Sequence, residues 1–171
     1  MTKAAHFRKG FTLLELVIYM GILSAISVVL AASFSSLIKG SSIAEARAEV
    51  NANVRFAMDS ISRDVMRAVS VETPNTSTPS SNLLIQAQGA TGMVDVAYSN
   101  DSGRLLREET PAFEHVTSSL VVVETLSFSL IENYNSVLDA TTTSIGVEIA
   151  IRHADAATPY SATLKNAIRL R

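Results

Sequence analysis

The chain has 171 residues, 47% of them hydrophobic, no cysteine, and a formal net charge of −2. That length holds one domain and an anchor but not two sizeable cores, and the missing cysteine excludes a disulfide framework and any thiolate nucleophile or metal ligand. Lys3, Arg8 and Lys9 fall in the first ten residues, so the remainder carries −5 and lacks the clustered Lys and Arg that phosphate contacts need; direct nucleic-acid binding is not expected.

The texture changes twice at the N-terminus: a basic, polar stretch over 1–10, an apolar stretch over 11–34, and a Ser-rich passage that ends at Lys39-Gly40. About 20 apolar residues cross a bilayer core of roughly 30 Å, whereas a cleavable secretory core has about 7–15, so length favours a retained span over 11–39. The competing reading is a small-residue cleavage site at 29–31. Across 11–38 the one charged side chain is Glu15. A carboxylate at the centre of a spanning helix costs about 2.5–3.5 kcal/mol, less near the interface, and such residues usually have a partner. By position alone Glu15 is either unpaired among the headgroups or held for a purpose.

Lys9-Gly10-Phe11-Thr12-Leu13-Leu14-Glu15 resembles the prepilin-type signal of type IV pilins and pseudopilins, and the likeness covers the first 35 or so residues. The resemblance implies that a prepilin peptidase cuts between Gly10 and Phe11, that the new amino terminus of Phe11 is methylated, and that residues 1–10 are a discarded cytoplasmic leader. It also implies that Glu15, with Thr12 beside it, serves assembly, the carboxylate pairing with a neighbouring subunit's terminal amine; opposite charges attract strongly in low dielectric. The leader charges Lys3, Arg8 and Lys9 then keep the N-terminus cytoplasmic and the body outside. Expected partners are the peptidase, other pilin or pseudopilin subunits, an inner-membrane assembly platform and membrane lipid.

From 40 to 71 the pattern turns amphipathic, with Ile43, Val50, Val54, Met58, Ile61, Val65 and Val69 at helical steps. Arg47, Arg55, Asp59, Arg63, Asp64 and Arg67 read as a solvated face, with Asp59 and Arg63 an i,i+4 pair. One helix over 11–71 has a length of roughly 90 Å at about 1.5 Å per residue. Many pilins carry a proline in the membrane part of this helix; here none precedes Pro74.

Residues 72–82, rich in Pro, Ser, Thr and Asn, read as a loop. A β-rich domain over 83–171 follows from alternation at Val94, Val96, Tyr98, at Leu126, Phe128, Leu130, and at Ile145, Val147, Ile149, Ile151, with further strands over 83–88, 104–109, 116–124 and 164–170. Asn100-Asp101-Ser102-Gly103 signals a hairpin turn. The predicted fold is α+β, a long helix laid on an antiparallel sheet. Arg63-Asp64 with Arg67-Ala68, Gly103 with Leu105 and Arg107, and Val123 with Leu126 and Phe128 resemble the J-type minor pseudopilins and related minor pilins, which implies a minor subunit of a type IV pilus or of a type II secretion pseudopilus.

An enzyme is not expected. His6, His115 and His153 have no metal-ligand spacing, and no nucleophile-elbow, Walker or dinucleotide glycine pattern occurs, so no catalytic residue, metal or cofactor is assigned. Asp95, Asp101, Glu108, Glu109 and Glu114 match no EF-hand spacing and read as a solvated hairpin rim. Asn75 and Asn100 sit in glycosylation-like triplets, and neither is assigned. The competing functional reading is a single-span, membrane-tethered binding module that does not polymerise.

Overall fold

The structure, a computed structural model, describes residues 12–75, 78–89, 92–136 and 139–170. In chain order the elements are α1 (Leu13–Arg67), β1 (Ala68–Thr73), β2 (Leu83–Gln88), β3 (Met93–Asp101), β4 (Arg104–Glu109), β5 (Ala112–His115), β6 (Val121–Asn135), β7 (Ala140–His153) and β8 (Ser161–Arg169). The class is α+β, as the patterning predicts. The chain divides into two units, Met1–Ser41 and Ser42–Arg171.

In the first unit α1 is apolar on every side. Its large apolar side chains from Leu13 to Ile38 are each between 52 and 83% exposed. Ser24, Ser27, Ser33 and Ser35 each donate their hydroxyl to the carbonyl four residues earlier, at 2.7 to 3.0 Å. Those hydroxyls are thereby satisfied within the helix, the condition a polar group must meet in hydrocarbon.

In the second unit the strands form two antiparallel sheets, β1-β2-β3-β4-β5 and β6-β7-β8. One core joins them to the helix: Val50, Val54, Ala57, Met58, Ile61 and Val65 pack with Leu83, Ile85, Val96, Tyr98 and Leu105 of the larger sheet and with Phe128, Ile145, Val147, Ile149 and Ile151 of the smaller. The turn at Ser102-Gly103 is a two-residue loop with both residues at positive φ (53° and 84°), the geometry that follows a strand's twist. Asn100 fixes it by accepting the Gly103 amide through its side-chain oxygen at 2.9 Å.

Three expected boundaries are corrected. The helix ends at Arg67 and not at 71, because Val69, Val71 and Thr73 are β-branched at alternate positions and favour a strand, which β1 forms along β2. The region 72–82 therefore begins in β1, and Ser80 makes a two-way backbone bridge to Phe128. Residues 116–120 are not strand; β6 starts at Val121 and absorbs the stretch expected separately around 126–130.

Candidate functional site

The start of α1 is built by its own sequence. Thr12 precedes the first helical residue; its hydroxyl accepts the Glu15 amide at 3.3 Å and its carbonyl accepts the Leu16 amide at 3.2 Å. Thr12 is thus the N-cap, satisfying an amide that the helix leaves unpaired. Threonine followed three residues later by glutamate is the capping-box spacing, which was readable in the sequence. Glu15, half-buried in the first turn, also stands where the helix dipole favours a negative charge. Lys3, Arg8, Lys9, Gly10 and Phe11 lie outside the described residues.

At the other end of α1 lies a charged cluster. Asp64 is 4% exposed. It accepts from the Tyr98 hydroxyl at 2.7 Å, from Arg107 Nε at 2.7 Å, and from Arg67. Arg107, with 14% of its side chain exposed, also donates to Glu109 and lies 3.5 Å from Glu114. The Tyr98 hydroxyl is 3.0 Å from that of Ser60. Burial pushes the Asp64 carboxyl up, but the bonds from Arg107, Tyr98 and Arg67 together outweigh it and hold the group below its ordinary value. Burial, with the neighbouring Asp64 charge, pushes the Tyr98 phenol well up. The Arg107 guanidinium is held still more firmly in its charged form, burial being outweighed by its bonds to Asp64 and Glu109.

The sequence placed Asp64 on a solvated face, and this is a correction: the residue is buried, because Arg67 of the last helical turn, Tyr98 of β3 and Arg107 of β4 donate what its charge loses in leaving water. Arg63 stays outside, paired with Asp59 at 3.6 Å with both side chains mostly exposed, as the i,i+4 spacing predicts. Of the residues expected on a solvated rim, Glu109 turns toward Arg107, while Glu114 stays exposed as expected, 3.5 Å from the same guanidinium. A cleft of about 590 Å³ opens beside the cluster, lined by Ser60, Arg63, Asp64, Met66, Arg67, Arg107 and Glu114. The arrangement ties the last turn of the helix to β3 and β4.

A second polar tie pins the 116–120 segment to the helix. Asn53 accepts the Ser118 amide at 2.8 Å and donates to Glu49, which in turn accepts the Ser118 hydroxyl at 2.7 Å. Thr117 turns its hydroxyl to accept the Leu105 amide at 3.0 Å. These bonds explain why the segment leaves the sheet. The histidines are placed apart from the ionic cluster's donors: His115 lies 3.9 Å from Asp101, and His153 Nδ1 lies 2.8 Å from the Thr158 hydroxyl. Among the described residues no group of three or more His, Asp or Glu side chains converges on a metal position. Asn100 is engaged in its turn and with the Val123 carbonyl at 3.2 Å.

One described helix is long and apolar enough to cross a membrane, and it is followed by an α+β body. Residues 6–31 match the prokaryotic N-terminal methylation motif, the signal of type IV pilins and pseudopilins. The chain is accordingly pilin-like at its N-terminus, and the motif implies processing by a prepilin peptidase and assembly with other pilin subunits. No curated protein and no solved structure matches the chain.

Proposed function

We propose that the chain is a structural subunit, minor in abundance, of a type IV pilus or a type II secretion pseudopilus, and that it performs no turnover of its own. The observation that carries this reading is the methylation motif over 6–31, which runs into a helix whose stretch from Leu13 to Ile38 carries one charged residue, Glu15 in its first turn. Cleavage falls between Gly10 and Phe11, and Phe11 becomes the methylated amino terminus. Glu15 is then the fifth residue of the mature chain, available to pair with a neighbouring subunit's terminal amine. Pairing relieves a desolvation cost each charge bears alone.

Lys3, Arg8 and Lys9 hold the leader on the cytoplasmic side, where the peptidase and the assembly platform act, and the body is carried to the other side. The minor, J-type reading rests on the resemblance of the short patterns around Arg63-Asp64, Gly103 and Val123. Asp64, Arg67 and Arg107, which belong to two separate short patterns in the sequence, meet in one ionic site. They act as a single packing unit.

The test is intact mass and N-terminal sequencing of the full chain recovered from membranes with and without an active prepilin peptidase. A chain that begins at Phe11 only when the peptidase is present is the expected result. A chain that keeps residues 1–10 in both, or is cut near Ala31, overturns the reading.

A further inference from the structure

Two constraints bear on α1, and they leave a gap between them. From Leu13 to Ile38 the helix is an apolar stretch fit for a bilayer. The body takes hold at Ala46, the first buried side chain of α1. Polar contacts add to that grip. The Arg47 guanidinium lies over the Tyr160 ring, 5.6 Å from its centre, Asn51 donates to the Tyr160 hydroxyl at 3.2 Å, and Glu49 accepts the Ser118 hydroxyl at 2.7 Å. Residues 39–45 have no buried side chain, and the division of the chain into two units falls among them, between Ser41 and Ser42.

Within that gap Gly40, Ser41 and Ser42 stand in succession. Glycine is the poorest helix former after proline, and serine ranks below alanine. Sharp bends in helices fall mostly at proline or at Gly/Ser pairs, and α1 has no proline. α1 has one other glycine, Gly21. At neither does an added Cβ meet anything within 4 Å, so packing within the chain asks for neither. They differ in their surroundings. Gly21 lies deep in the apolar stretch, where no water competes for the backbone and a broken ladder bond stays costly. Gly40 lies beyond that stretch, next to Lys39, where water can take a freed amide.

Ser41 lowers the cost of opening further. Its hydroxyl donates to the Ile38 carbonyl at 2.9 Å, the same carbonyl that the helical ladder gives to the amide of Ser42. When that amide lets go, the carbonyl keeps a partner. A hydroxyl that bonds back to the preceding turn competes with the ladder in this way and bends helices.

We infer that Gly40-Ser41-Ser42 is a hinge in α1, at which the ladder opens and the body turns against the apolar stretch. The bonds from Arg47, Glu49 and Asn51 stop the opening from spreading into the body, and the bilayer stops it from spreading the other way. The hinge is a property of the helix and stands apart from the proposed function.

The test is made on the full chain in phosphatidylcholine nanodiscs. The chain has no native cysteine, so spin labels go only where thiols are introduced. Ala32→Cys with Ala48→Cys brackets the hinge, the two lying roughly 24 Å apart along a straight helix; Ala48→Cys with Ser62→Cys, roughly 21 Å apart, lies wholly beyond it. Pulsed dipolar distances are expected to spread severalfold more widely for the first pair than for the second. Gly40→Ala with Ser41→Ala should narrow the first pair to the width of the second. The same change should slow hydrogen exchange at residues 41–45 on the order of tenfold and leave 50–60 as they were. The inference is overturned if the first pair is as narrow as the second, if the two alanines leave its width unchanged, or if they slow exchange across 50–60 by the same factor. Cleavage at Gly10, read by N-terminal sequencing, decides the proposed function separately from any of these results.

Discussion

Removing Arg107 alone is expected to harm the body more than removing Arg107 together with its partner. In Arg107→Met the aliphatic stem stays and the guanidinium goes, so Asp64, 4% exposed, keeps Tyr98 and Arg67 but loses its most buried cation. Breaking a buried pair from one side costs about 3–5 kcal/mol, and the two surviving donors put this case near the lower end, about 3 kcal/mol. In the double variant Asp64→Leu, Arg107→Met no buried charge is stranded, and Tyr98 retains Ser60 at 3.0 Å. It should recover most of the loss, a coupling of about 2 kcal/mol. The assay is thermal and urea unfolding of the full chain in micelles, followed by the near-ultraviolet signal of the tyrosines, since the chain has no tryptophan. A loss of about 3 kcal/mol lowers the midpoint by roughly 10 °C for a body of this size. The reasoning is refuted if Arg107→Met costs less than about 1 kcal/mol, or if the double variant loses the sum of the two single losses.

Acid should act through the same cluster. The folded Asp64 carboxyl lies below its ordinary 3.8, so its contribution is whole above that value and is lost as pH falls from about 4 toward the folded value; urea midpoints measured from pH 6 to pH 2 should drop there, and less so in Arg107→Met. Glu15→Leu should leave processing at Gly10 intact but keep the chain out of sheared filaments, whereas a plain anchor is indifferent to the change; fractionation with mass analysis separates the two. Gly146→Ala should destabilise the body by about 1–3 kcal/mol, because an added Cβ comes within 2.6 Å of Ser129 Oγ, and Ser129→Gly in the same chain should relieve it. Asn53→Ala, which strands the Ser118 amide, should cost about 1–3 kcal/mol and speed hydrogen exchange across 116–120 without altering processing.

Period-two alternation exposed the strands because each is buried on one face only: Val96 and Tyr98, Leu126 and Phe128, and Ile145 through Ile151 point inward as the pattern said. The helical stripe failed at its end, where Ala68 and Val69 continue the helical spacing by accident while Val69, Val71 and Thr73 alternate as a strand. Ala68 is buried either way, so its burial did not distinguish the two. β5 was invisible for a different reason. All four of its residues are exposed, so no hydrophobic pattern marks it, and what holds it is the ladder to β4. The site at the end of α1 was half legible. Asp64, Arg67 and Arg107 stand in short recognisable patterns, but burial of an aspartate depends on donors 34 and 43 residues away, Tyr98 and Arg107, and no local spacing carries that information. The Thr12 cap, by contrast, needs residues three apart and could have been read directly.

The same contrast accounts for how unevenly the chain resembles other proteins. On the proposed function the N-terminal signal would have to satisfy, within a few consecutive residues, a peptidase at Gly10 and Phe11, a bilayer that admits one carboxylate, and a helix start that needs Thr12 or its like. Each demand falls on a named position, so few sequences meet all three, and the family match over 6–31 is confined to that stretch. The body answers to looser demands. A half-buried strand asks for an apolar residue at every second place, and Val, Ile, Leu or Phe serves at most of them with little change in packing volume. Many sequences therefore build a helix on two sheets, and the surfaces that distinguish one such body from another are its exposed edges and its few buried charges. If that is so, replacing core Val147 by Ile should leave Glu15-dependent assembly unchanged, while Glu15→Leu abolishes assembly and leaves the tyrosine signal of the body native. A core substitution that disrupts assembly while the tyrosine signal stays native would sink this division.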